Sequence, residues 1–218
     1  MLDFILSKMN LLILVTAMVA IVGFFTFGLV EISKVNEAGK LVSKIKETSF
    51  AFASSPSYCF SDDYILPDEI KVSGNSFYYV LRISKQSAIT SSGDNINLLI
   101  FSVYPREEIR RFMTNSAYQP KAVAASSFRT KANIFIFSKD YVDSGGLTYE
   151  NNWLDITNEG AFADPQAVLP ANSLEFVKEI ENGQANLYVV ICGIGVNDCA
   201  VAKDYVGNQI HPTEGFNC

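Results

Sequence analysis

The side chains best suited to catalysis or metal binding are few and scattered. One histidine, His211, stands before Pro212 near the end of the sequence, so neither a Ser-His-Asp triad nor a histidine metal cluster can be assembled around it. It reads as a surface residue. Asp62-Asp63, Asp68-Glu69 and Glu107-Glu108 are adjacent carboxylates. Neighbours on a strand point to opposite faces, so these pairs suit solvated turns better than shared acid-base work. Gly193-Ile194-Gly195 lacks the third glycine and following helix of a dinucleotide site, and neither G-x-x-x-x-G-K-S/T nor the haem motif C-x-x-C-H occurs. The expectation is a non-enzymatic protein with no catalytic residue, cofactor or metal.

The four cysteines carry more information. Cys59, Cys192, Cys199 and Cys218 allow three connectivities, and their even number suits two bridges in an oxidising compartment. Cys192 ends the strand-like LYVVIC and Cys199 opens CAVA across GIGVND; a local hairpin bridge would bring their Cβ atoms within the roughly 4 Å a disulfide needs. Cys59 would then pair with Cys218. Four reduced structural cysteines are the alternative, and a zinc site is disfavoured by the absence of C-x-x-C spacing.

Whatever positions these residues is tied to an apolar anchor. Met9 to Val30 is 22 residues without a charge, which as a helix spans about 33 Å, enough for the hydrocarbon core of a bilayer. A cleaved signal has a shorter apolar region and a small-x-small site, whereas this run leads into Glu31, Ile32 and Ser33. A core helix apolar on all faces would need a large protein around it.

Beyond Val30 the helical pattern continues. Ile32, Val35, Ala38 or Gly39, Val42, Ile45 and then Ser49 or Phe52 recur at intervals of three and four, the mark of one apolar face. Val35, Val42 and Ile45 are the expected helix-packing residues, either on the chain's own sheet or on neighbouring subunits. Pro56 and its serines end the helix, which gives an N-terminal unit at 1–56 and a β-rich domain at 57–218.

That domain reads as antiparallel sheet, so the fold class is α+β. Segments 64–72, 76–84, 96–103, 122–127 and 132–138 are strand-like. The clearest hairpin joins SLEFVKEI to LYVVIC, with Asn182-Gly183 supplying the positive φ angles of a tight turn. Segment 105–113 is a candidate short helix.

Residues 57–218 hold 12 Lys and Arg against 19 Asp and Glu, while 1–56 hold 5 against 4. An acidic domain argues against nucleic acid as a partner. Its locally basic stretch, 106–131, reads as a solvated loop. Lys8 before the apolar run and Lys34, Lys40, Lys44 and Lys46 after it would by the positive-inside tendency favour a cytoplasmic domain. Long domains translocate largely regardless of charge, and the cysteines favour the outside.

An apolar N-terminal helix after a short segment with a single Lys, extended as an amphipathic helix and capped by an acidic, disulfide-capable β domain, resembles the archaeal type IV pilin-like proteins. CFSDDYILPDEIKVSGNSFYYVLRI, Cys59 to Ile83, is similar to the first β-hairpin after the helix in such proteins. The resemblance implies a structural subunit of a surface filament, self-associating through the helix after passing through the cell membrane, with its β domain outside. The alternative is a single-pass, membrane-anchored extracellular binding or assembly domain.

Overall fold

The computed structural model describes residues 2–57, 59–89, 95–115, 117–143, 146–155, 160–167, 171–193, 199–212 and 215–216. Helix α1 (Leu2–Ser54) is 53 residues long, about 80 Å at 1.5 Å per residue. No proline interrupts it. It stops where the Ser55 N–H donates to the Phe52 carbonyl (3.1 Å) and Pro56, which cannot continue a helix, follows.

The sheet domain contains β1 (Cys59–Ile65), β2 (Ile70–Val72), β3 (Asn75–Phe77), β4 (Tyr79–Ile89), β5 (Asn95–Pro105), α2 (Arg106–Thr114), β6 (Ala124–Thr130), β7 (Asn133–Asp143), β8 (Gly146–Asp155), β9 (Ala161–Ala163), β10 (Ser173–Glu181), β11 (Gln184–Cys192) and α3 (Cys199–Ile210). Nine strands form one sheet in the order β1-β10-β11-β7-β9-β4-β5-β6, with β8 beside β7, and β2 and β3 make a separate two-stranded ribbon. The class is α+β with an antiparallel sheet. One pairing departs from the rule: β7 and β11 run parallel, because β8, β9 and β10 supply the long crossover that parallel neighbours require.

The β10–β11 hairpin turns as its sequence dictates. Asn182 (φ 50°) and Gly183 (φ 80°) both take the left-handed region between the paired Glu181 and Gln184. The other expected strands are cut more finely. Segment 64–72 is not one strand, since Pro67 has no N–H for a ladder; β1 ends at Ile65 and β2 begins at Ile70. Segment 76–84 breaks at Tyr78, between β3 and β4. Residues 59–83 are therefore not a hairpin: β1 pairs with the distant β10, and only β2 and β3 pair locally.

Strand periodicity sorts the apolar residues into two faces. Along β11, Leu187, Val189 and Ile191 join the main core, while Tyr188, Val190 and Cys192 belong to a second cluster. The main core gathers Leu81, Ile83, Leu99, Phe101, Val103, Leu174 and Phe176 around Ala38, Leu41, Val42, Ile45 and Phe52 of α1. On the opposite face α3 covers Phe137, Val177, Tyr188 and Val190, and α2 covers Val80, Tyr104 and Phe162 through Ile109. The result is three layers: α1, the sheet, and a pair of short helices.

Candidate functional site: a helix half inside and half outside the fold

The stripe on α1 divides. Val42 and Ile45 are 2% and 0% exposed and packed into the main core, so these two expected packing residues dock on their own sheet. Val35 is 48% exposed, and its neighbour in the stripe, Ile32, is exposed as well. The buried face is instead set by Ala38, Leu41, Val42, Ile45, Ser49 and Phe52, at the three- and four-residue spacing that keeps one side of a helix in register. Ser49 is tolerated there because its hydroxyl donates to the Ile45 carbonyl (2.8 Å), leaving no orphaned polar atom. Phe52 stacks on Phe176 at 5.5 Å, and Phe50 meets Phe128 edge-on at 5.9 Å.

The last turn is held by a residue that sequence reading passed over. Lys178 is buried, and its ammonium donates to the Ser55 carbonyl just beyond the end of α1, where a positive charge complements the helix dipole. Desolvation lowers the affinity of this amine for its proton. Period two along β10 was the available signal: Leu174 and Phe176 face the main core, and Lys178 lies two residues further on the same side.

Below the domain the helix is bare. From Met9 to Leu29 its large apolar side chains stand exposed on every side, with Phe24 and Phe27 reaching 78%. Charges resume only at Glu31, and the Glu31–Lys34 and Glu37–Lys40 pairs, each 2.6 Å and one turn apart, offset one another along the exposed side. Within the apolar run the two hydroxyls are satisfied internally: Thr16 donates to the Leu12 carbonyl and Thr26 to the Val22 carbonyl, both at 2.8 Å. Neither hydroxyl therefore presents an unpaired donor to an apolar medium, where such a group would be costly. By length and composition it can cross a membrane.

The Cys192–Cys199 half of the cysteine expectation is met in pairing and corrected in setting. Cys192 and Cys199 are bonded, with Cα atoms 5.0 Å apart. Cys199 opens a helix rather than a strand; Cys199, Ala202, Val206 and Ile210, recurring at three and four, were the missed helical signal. Cys59 is disulfide-bonded too, whereas Cys218, its expected partner, lies outside the described residues. His211 is not a plain surface residue. It is half-buried with Nε2 2.9 Å from Oε2 of Glu179, an approach between distant segments that spacing cannot foretell.

The basic stretch 106–131 is not a loop but a helix, a connection and a strand, and its charges are largely engaged. Arg106 holds Asp164 at 2.9 Å and the Gln166 carbonyl at 2.5 Å. Glu108 accepts from the Tyr118 hydroxyl and from the Lys121 N–H, and these two hydrogen bonds hold its carboxyl below the usual range. A groove of about 450 Å³ lies between α1 and segment 64–71, with Leu41, Leu66 and Ile70 among its walls and Glu37, Lys40, Lys44, Glu69 and Lys71 around them. Lys44 stands 5.8 Å over the Tyr64 ring. Among the described residues no group of three or more His, Cys, Asp or Glu could hold a metal ion.

No protein-family model, curated protein or solved structure matches this chain.

Proposed function

We propose that this chain is a structural subunit of a type IV pilus-like surface filament, in which the bare halves of many α1 helices pack together and the β domains face outward. The reading rests on one observation: a helix exposed and apolar on all sides over residues 9–29 is continuous with a half sunk in the domain core. An isolated apolar rod of this kind must be covered by lipid or by other apolar helices. The buried half fixes the angle at which the rod leaves the domain. A polymer of such rods would hold each domain in one orientation. Ile32 and Val35 extend the apolar surface above the charge-free run and would lie between subunits. The membrane would hold the subunit before assembly, the β domain would lie outside the cell, and the role would be structural rather than catalytic.

Filament formation is tested on the full-length chain extracted in mild detergent. The expected result, on detergent removal, is sedimentation as regular filaments visible by electron microscopy. Protein that stays monomeric in membranes under every condition rejects the filament and leaves the second reading, a single-pass anchored binding or assembly domain. That second reading is favoured by length alone, since 22 uncharged residues suffice for one crossing of about 30 Å.

A further inference from the structure

We propose that α3 is a strap on the outer face of the sheet, locked by the Cys192–Cys199 disulfide and released when a dithiol reduces it, uncovering an apolar patch on β7, β10 and β11.

The patch and the main core are physically separate. Phe137, Val177, Tyr188 and Val190 form the cluster under α3, and none of them belongs to the core that α1 closes on the other face. Removing α3 therefore strips one side of the sheet while the packing of α1 stays whole. The strap's own grip is slight. Only Ala202, Val206 and Gly207 of the helix are buried, while Val201 and Tyr205 face outward. Twelve residues are too few to hold a helix in water without support.

Three further tethers supply that support. At the start of α3 stands the disulfide to the end of β11. In the middle, the Lys203 ammonium donates to the Ser61 hydroxyl on β1 at 2.7 Å, beside the buried Glu175. At the end, His211 meets Glu179 at 2.9 Å, and the Phe216 ring lies 5.1 Å from Tyr188 and 6.3 Å from His211. The helix and its terminal hook form one piece: a Cβ on Gly207 would come within 2.8 Å of the Phe216 nitrogen, so glycine is what lets the hook close. Among these three contacts between described residues, the first is covalent. Closing its short ring is worth roughly 50- to 100-fold in the opening equilibrium.

The two sulfurs differ in access. Cys192 is fully buried at the strand end, and Cys199 is only partly buried at the first residue of the helix. A thiolate of the dithiol attacks Cys199 Sγ; a mixed disulfide forms, the S–S bond breaks, and its electron pair leaves on Cys192 Sγ, which takes up a proton. The second thiol of the reductant then attacks the mixed disulfide, forming the reductant's own disulfide and freeing Cys199. Two electrons pass from the dithiol to the bridge.

Hydrogen exchange of the full-length protein in detergent, followed by mass spectrometry before and after dithiothreitol treatment, tests the strap. Peptide-mapped alkylation at Cys192 and Cys199, scored apart from Cys59, reports whether this bridge has opened. The expected result is that peptides covering α3 exchange 50- to 100-fold faster once the bridge is reduced, while β4, β5 and the buried half of α1 keep their protection. C192S/C199S should behave like the reduced protein without reductant. Unchanged α3 protection after proven reduction overturns the proposal. So does a simultaneous loss of protection across the domain, which would make the bridge a global staple, and so does a bridge that dithiothreitol cannot open in the folded protein.

Discussion

The two halves of α1 are built from similar residue types and meet opposite fates. Residues 38–52 place Ala, Leu, Val, Ile and Phe on one side and are buried by a sheet; residues 9–29 place the same types on every side and stay exposed. What differs is angular distribution. A stripe can be covered by one sheet face, whereas an all-round apolar surface needs surroundings that enclose it. The first half therefore carries stability, and the second is the half to which the proposed function assigns association.

The strongest way to break this division is to put a charge into each half. Val42→Asp buries an unpaired carboxylate in the main core and is expected to cost the domain about 3–5 kcal/mol, read as a lowered denaturant midpoint. Ala20→Arg is expected to leave that midpoint alone and to weaken membrane insertion by about 2.5–3.5 kcal/mol, read as loss of the protein from the membrane fraction. A fall in domain stability in the second variant would mean that the bare half helps to hold the fold.

Val35 sharpens the boundary between the halves. Because it is half exposed, Val35→Asp should move domain stability by no more than about 0.5 kcal/mol while suppressing filament assembly. Equal loss of stability in the Val35 and Val42 variants would place both on the intramolecular face.

The smallest expected effect concerns the opposite face of the sheet. Burial raises the carboxyl affinity of Glu175 for its proton, against the partial opposition of Lys203. The folded state thus binds this proton more tightly than the unfolded chain does. Its ionised form costs stability above the raised folded value, and the cost vanishes as pH falls through that value. Glu175→Gln should therefore raise the melting temperature near neutral pH, by a margin that shrinks on acidification toward about pH 4.5. A margin that is constant with pH would show that Lys203 neutralises the site.

Much of the chain was legible beforehand because the signals were local. Asn182-Gly183 specifies its hairpin by conformation alone, and the Cys192–Cys199 pair is close in sequence. The misreadings share a different cause. Pro67 splits a strand that its β-forming neighbours suggest, and CAVA, short enough to suit the far arm of a hairpin, belongs to a helix whose period shows only over the next turns. Nothing near His211 announces Glu179, which lies 32 residues earlier in the chain, and nothing near Lys178 announces Ser55, 123 residues away.

The sequence by itself determined the long helix, its charge-free run and the α+β class, because helical and strand periods are written in neighbouring residues and water alone sorts them. The tertiary structure decided which part of the apolar stripe is spent inside the molecule. Val35, Val42 and Ile45 share a face by spacing, yet only the sheet's reach along the rod determines that burial includes Val42 and Ile45 and leaves Val35 half exposed. That reach follows from strand order and from the parallel β7–β11 pairing, long-range choices in which each residue's environment is set by partners far away in the chain.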